Sequence, residues 1–167
     1  METRTAKREA FFKSISPYIH NTTIQQMDRI AHHTKKISCL DHSMFVAYVS
    51  FILAKRFHGD IPVVIKAGML HDLYLCDWKE TQIGVFKRLI LHPQMAVENA
   101  AAFNLSQHEK NIIHKHMWPV TITKFPHRRD EIIVTVADKI CAIAEVSGVY
   151  WHLKSCQALR RAKICAV

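Results

Sequence analysis

Apolar residues recur every three or four positions over most of this chain, and nowhere do they alternate strictly with polar ones. A three-to-four period places apolar side chains on one face of a helix, whereas a half-buried strand needs alternation. Four glycines and five prolines also leave little material for hairpin turns. The pattern predicts a first helix over about 24–33 and a second over 41–57, stopping at Gly59. DIPVVIKAGMLHDLYL reads as a third, with Asp60 as its N-cap and Pro62 in its first turn. HPQMAVENAAAF starts a fourth, and SQHEKNIIHKH forms a fifth, where Ser106 and Glu109 are spaced as a capping box. RRDEIIVTVADKICAIAEV gives a sixth. The stretches DWKETQIGVFKRL and MWPVTITKFPH are expected to be irregular.

These elements define an all-α chain, a single-domain helical bundle of six to seven helices. Residues 1–23 read as an N-terminal extension, 24–146 as the domain and 147–167 as a basic C-terminal segment. That last segment mixes Tyr150, Trp151 and Leu153 with basic residues, so it reads as a partner-binding element or a seventh helix packed on the bundle; packing is favoured. No internal repeat or low-complexity stretch interrupts the pattern.

Composition narrows the picture. With 167 residues and 49% apolar content, the chain can build one proper core but not two comfortable ones. No basic-then-apolar export signal opens it, and no apolar run approaches the roughly 20 residues that span a bilayer. A cytoplasmic protein without membrane association is the expectation. The five cysteines, Cys39, Cys76, Cys141, Cys156 and Cys165, are odd in number and scattered, which suggests reduced thiols rather than a disulfide framework or a metal knuckle. A net charge of +9 favours anionic partners. Because stacking aromatics do not interleave with the basic stretches RTAKRE and LKSCQALRRAKICAV, a small phosphorylated ligand, a nucleotide included, is preferred over nucleic acid. The oligomeric state stays open, a homo-oligomer included.

Twelve histidines are the unusual count. Residues three and four apart share a helix face, and on that basis His42 falls on the stripe of Phe45, Val46, Val49, Ile52 and Leu53. His71 has Ala67 and Gly68 behind it, His92 precedes Met95 and Ala96, and His116 follows Ile112 and Ile113. Asp138 lies one turn from Val134 and from Cys141. By the same rule His114 falls beside Lys110 and Asn111 and is expected on the surface. His20, His58, His108, His127 and His152 read as solvated, and His32 and His33 are ambiguous. Any one inward histidine is explained by a core hydrogen bond. Several inward polar groups together would each cost a few kcal/mol if unpartnered, and buried carboxylates need compensating charge. A metal centre fed from facing helices meets all these requirements at once.

The ordered set His42, then His71 with Asp72, then His92, His116 and Asp138, in the strings MLHDLYLCDW, LHPQMAVENA, IIHKHMWP and VADKICAIAE, resembles the signature of the HD superfamily of metal-dependent phosphohydrolases. The likeness covers roughly 24–145 and is nearest to small bacterial stand-alone HD-domain proteins. It implies the HD-domain fold. It further implies that His42, His71, Asp72 and Asp138 hold a first ion, and that His92 and His116 hold a second with Asp72 bridging the pair. The implied reaction is hydrolysis of a phosphomonoester or phosphodiester by a metal-bridging hydroxide at a mono- or dinuclear centre. The nitrogen and oxygen donor set suits divalent Fe or Mn first, with Mg, Co, Ni or Zn open. Asp72 and Asp77 are the catalytic candidates, Asp77 as general acid or as a partner orienting a ligand. Lys87, Arg88, Lys115, Lys139 and Arg128, the last with Arg129 beside it, are candidates for binding substrate phosphate.

Two departures limit the likeness. The GYP loop and adjacent histidine pair of cyclic-dinucleotide phosphodiesterases are absent, HKHMWP standing in their place, and so are the length and extra domains of alarmone hydrolases. The same ligand set occurs in HD-fold diiron oxygenases, and a noncatalytic metal- or ligand-binding regulatory module would use it too.

Overall fold

The computed structural model describes residues 4–76 and 83–165. Within them lie eight α-helices and no strand, in agreement with the all-α expectation. They are α1 (Arg4–Ile19), α2 (Thr22–Gln25), α3 (Cys39–Phe57), α4 (Ile61–Leu70), α5 (Val85–Asn99), α6 (Gln107–Lys115), α7 (Arg129–Val146) and α8 (Lys154–Ile164). Short 3₁₀ turns follow α2 and α5 and precede α8.

Helix α3 is the axis of the bundle, packed chiefly against α4 and α7. Its start is fixed locally: the Ser38 hydroxyl accepts from the Asp41 N–H at 3.1 Å while the Asp41 carboxylate accepts from the Ser38 N–H at 3.3 Å. From Cys39 to Ala47 every residue is buried, because both flanks of the helix are covered. Close contact with α4 depends on Gly68, where an added Cβ would lie 2.8 Å from the Ala47 Cα. Two expected caps are present. Asp60 accepts from the Val63 N–H at 3.2 Å, and Ser106 and Glu109 form their capping box.

Several boundaries differ from the sequence expectation. The predicted helix over 24–33 begins at Thr22 and gives way to a 3₁₀ turn ending at Arg29. Beyond it the chain folds back on itself, with the His32 N–H donating to Ile37 O at 3.0 Å and the Cys39 N–H to Ile30 O at 2.8 Å, so groups that would extend a helix are used elsewhere. The third helix stops at Leu70 instead of running to Leu75. There the Tyr74 N–H turns back to Asp72 O at 2.8 Å, and the Asn99 side chain caps Leu73 O at 2.7 Å. The fourth begins at Val85 and not at His92, placing Pro93 inside α5 along with residues 85–89 of the segment expected to be irregular; 77–82 of that segment lie outside the described residues. Proline favours a first turn because it lacks an N–H; here it is buried mid-helix, where only the bond back to Leu89 is forfeited.

The ends of the chain join the same core. Phe11 and Ile15 of α1 are fully buried, and the Phe11 ring meets Tyr48 and Phe51 of α3. At the other end α8 packs on the bundle through Cys156 and Leu159, with Tyr150 buried just before it. The described cysteines are all free thiols, Cys39, Cys141 and Cys156 being buried.

Candidate metal centre

Five elements converge on one buried cluster. α3 supplies His42, the C-terminal end of α4 supplies His71 and Asp72, α5 supplies His92, the end of α6 supplies His116, and α7 supplies Asp138. All six side chains are buried. The early end of α4 is what turns Asp72 inward beside His71.

Ring orientation follows from main-chain carbonyls, which can only accept. His71 Nδ1 donates to Gly68 O at 2.8 Å, His92 Nδ1 to Arg88 O at 3.0 Å and His116 Nδ1 to Ile113 O at 2.7 Å. In the neutral rings this leaves each Nε2 as a bare acceptor aimed at the cluster. The two oxygens of Asp72 divide these rings into two groups. Oδ2 lies 3.5 Å from His71 Nε2 and 3.8 Å from His42 Nε2, whereas Oδ1 lies 3.3 Å from His92 Nε2 and 3.7 Å from His116 Nε2. Asp138 joins the first group, its Oδ1 being 3.2 Å from His42 Nε2 and 3.9 Å from His71 Nε2.

Acceptors facing acceptors are unfavourable in a dry interior. Yet His92 Nε2 and His116 Nε2 stand 2.9 Å apart, and His71 Nε2 and Asp72 Oδ1 have no hydrogen-bond partner. Divalent cations would satisfy every one of these atoms, and the donor set passes that test: buried groups drawn from His42, His71 and Asp138, and from His71, Asp72 and His116, can each hold a metal ion.

Electrostatics agree with this geometry. Burial, strengthened by the neighbouring His71 and His92, lowers the His116 pKa to about 3, and burial lowers that of His71, so both offer neutral nitrogens. For Asp72 burial acts upward, but the surrounding imidazoles of His71, His32, His92 and His116 outweigh it and hold the carboxyl well below its usual range. At His42 burial is likewise outweighed, by hydrogen bonds to Asp138 and Glu145, and the pKa rises to about 10. The His42 proton thus supplies positive charge that a cation would otherwise bring.

Two residues of the site were not assigned from sequence. Glu145, fully buried and two turns beyond Asp138 on α7, accepts from His42 Nδ1 at 2.8 Å and fixes that ring. Its i+7 spacing from Asp138 was the available signal. His32, left ambiguous, lies 3.3 Å from Asp72 Oδ2 through Nε2 and 3.3 Å from the Tyr74 hydroxyl through Nδ1. The fold-back at 30–38 places it there, and no helical period could report that.

The substrate-binding candidates are dispersed. Lys139 is at the cluster, its ammonium 2.7 Å from Asp138 Oδ2 and 3.0 Å from His116 O. Lys115 instead pairs with Glu131 at 2.9 Å, and Arg88 Nε donates to Ile83 O at 2.6 Å. Lys87 and Arg128 are exposed, while Arg129 donates to His58 O at 2.7 Å. Asp77 lies outside the described residues. His114, expected on the surface, is half-buried; burial lowers its pKa, with the charges of Lys124 and Lys110 acting the same way and that of Glu98 opposing them. His108, expected to be solvated, pairs with Asp130 at 2.9 Å.

Comparison with protein-family models, with curated proteins and with solved structures returned no match. What the fold and site define is therefore a helical bundle whose buried histidine and aspartate groups can hold a metal ion. None of its helices is long and apolar enough to cross a membrane, among the described residues.

Proposed function

We propose that this chain is a metal-dependent phosphohydrolase of the HD type, hydrolysing a phosphomonoester or phosphodiester of a small molecule, with nucleotides as the first substrates to try. One observation carries the reading: the two oxygens of a single buried carboxylate, Asp72, face two separate sets of preoriented imidazoles. His42, His71, Asp138 and Asp72 Oδ2 would hold one cation, and His92, His116 and Asp72 Oδ1 a second. Bound there, divalent cations supply Lewis acidity toward phosphoryl oxygens and a nucleophile at neutral pH.

The protein's own groups do the positioning. Main-chain carbonyls lock three rings and Glu145 locks the fourth, so little reorganisation accompanies ion binding. Lys139 neutralises the outer oxygen of Asp138 and presents the nearest ammonium for a substrate phosphate. Burial raises the Cys39 thiol well above its ordinary pKa, and its Sγ donates to Asp72 O at 3.3 Å, which leaves nitrogen and oxygen donors suited to Fe or Mn. Thr22, Gln25, Gln26, Arg29, Ile30 and Leu75 line a groove of about 500 Å³ that includes none of the six cluster residues. The charge of +9 favours phosphorylated ligands electrostatically.

Elemental analysis of the purified protein, paired with phosphate-release assays on nucleotides and phosphoesters in air and under anaerobic conditions, tests the reading. About two ions per chain and phosphate release indifferent to oxygen are expected. Absence of bound metal after supplementation with Mn or Fe would sink it. Turnover that requires oxygen would replace it with an oxygenase, and ligand binding without product with a regulatory module.

A further inference from the structure

Helix α7 carries Asp138 and Glu145 on its buried face, and its opposite face is unusual for a helix in contact with water. Every exposed residue between 130 and 146 is apolar: Ile132, Val136, Ile140, Ile143 and Val146, each 43% to 69% exposed. Surface helices ordinarily turn charged residues outward. The one charged side chain within this stripe, Lys139, folds its ammonium back onto Asp138 and His116 O and leaves its methylene stem in the stripe. Val149, 48% exposed, continues the apolar surface past the end of the helix.

The spacing specifies the occupant. Steps of four, four, three and three residues average 3.5, the period that keeps a seam facing a second helix along its length. A nucleic acid or an acidic peptide would require free charge on this face, and the stripe's one charge, Lys139, is turned onto Asp138. For a chain of net charge +9, by contrast, an uncharged face is where a second copy can approach without repulsion.

We infer that α7 is a homodimer interface, two copies packing antiparallel across a twofold axis near Ile140. In that arrangement Ile132 meets Val146 of the second copy, Val136 meets Ile143, and Ile140 meets its own equivalent, so apolar groups are matched at every level. Six exposed apolar side chains from each copy, Ile132, Val136, Ile140, Ile143, Val146 and Val149, are available to be covered by the pairing. The Lys139 stem lies inside the contact, so pairing also holds its ammonium against Asp138.

The test is the mass of the full chain in solution, by sedimentation or light scattering across a dilution series. The expected value is twice the 19.3 kDa of the chain. Ile143→Lys places an unpaired charge in the seam and is expected to raise the dissociation constant at least ~100-fold, with unchanged helical circular dichroism. Ile122→Lys, at a still more exposed position outside α7, is expected to leave the dimer intact. A wild-type chain that is monomeric at every concentration overturns the inference. So does a dimer that survives Ile140→Glu combined with Ile143→Lys, since the contact would then lie elsewhere.

Discussion

His114 and His116 stand two residues apart at the end of α6, yet only one enters the cluster. His116 Nδ1 reaches Ile113 O and turns Nε2 toward Asp72, while His114 lies among Lys110, Lys124 and Glu98. The pair therefore makes a controlled experiment. In dialysed protein His116→Ala is expected to bring the metal content toward one ion per chain, whereas His114→Ala retains the wild-type content. Equal losses from the two would mean that the cluster is not what holds the metal. The helical period alone separated these two histidines. It could not reveal that His114 is half-buried, because Glu98 and Lys124, unlike Lys110, come from other parts of the chain. Glu145 was legible in principle from its spacing to Asp138, while the place of His32 depends on a loop whose hydrogen bonds are tertiary.

At the scale of elements, the contact between α3 and α4 sets the distance between His42 and His71. Gly68 is the point of closest approach, and a methyl group there meets the Ala47 backbone, which cannot move aside as a side-chain tip would. Gly68→Ala is expected to cost about 1–3 kcal/mol of stability, read by denaturant unfolding, and to weaken metal binding by separating the two helices. Gly84→Ala is the control, because nothing among the described residues lies within 4 Å of its Cβ position. A stable Gly68→Ala protein with full metal affinity would show that the close approach is dispensable. Helix interiors and two caps followed from sequence periodicity and capping chemistry. The end of α4 and the start of α5 did not, because the turn at Asp72 and the burial of Pro93 depend on contacts with Asn99 and the surrounding bundle.

For the whole molecule, the buried charges make folding and metal binding depend on pH in a definite direction. In the metal-free chain the His42 pKa is raised from 6.5 to about 10. Its contribution to stability is therefore complete below about pH 6.5 and is lost as pH rises toward 10. The Asp138 carboxyl, which burial alone would raise, is held well below its ordinary 3.8 by His42 and Lys139; its contribution is present above that value and lost as the solution becomes more acidic. A cation entering the site must displace the His42 Nε2 proton, so metal affinity is expected to increase with pH up to about 10. Calorimetric titration with Mn near pH 7, in two buffers of different ionisation heat, is expected to count about one proton released per chain. Uptake without proton release, and with affinity independent of pH, would contradict this charge balance.

What the sequence by itself determined was local. A three-to-four period made the chain helical, turned His42, His92, His116 and Asp138 to apolar faces, and set Ser106 and Glu109 as a cap. Tertiary structure decided how those faces meet: which oxygen of Asp72 faces which imidazoles, that Glu145 reaches His42 across 103 positions, and that the outer side of α7 stays apolar and exposed among the described residues. The physical reason is the range of the interactions. Helical period and capping act within a few residues and are written into adjacent letters, whereas the cluster forms only where five elements bury their polar groups against one another.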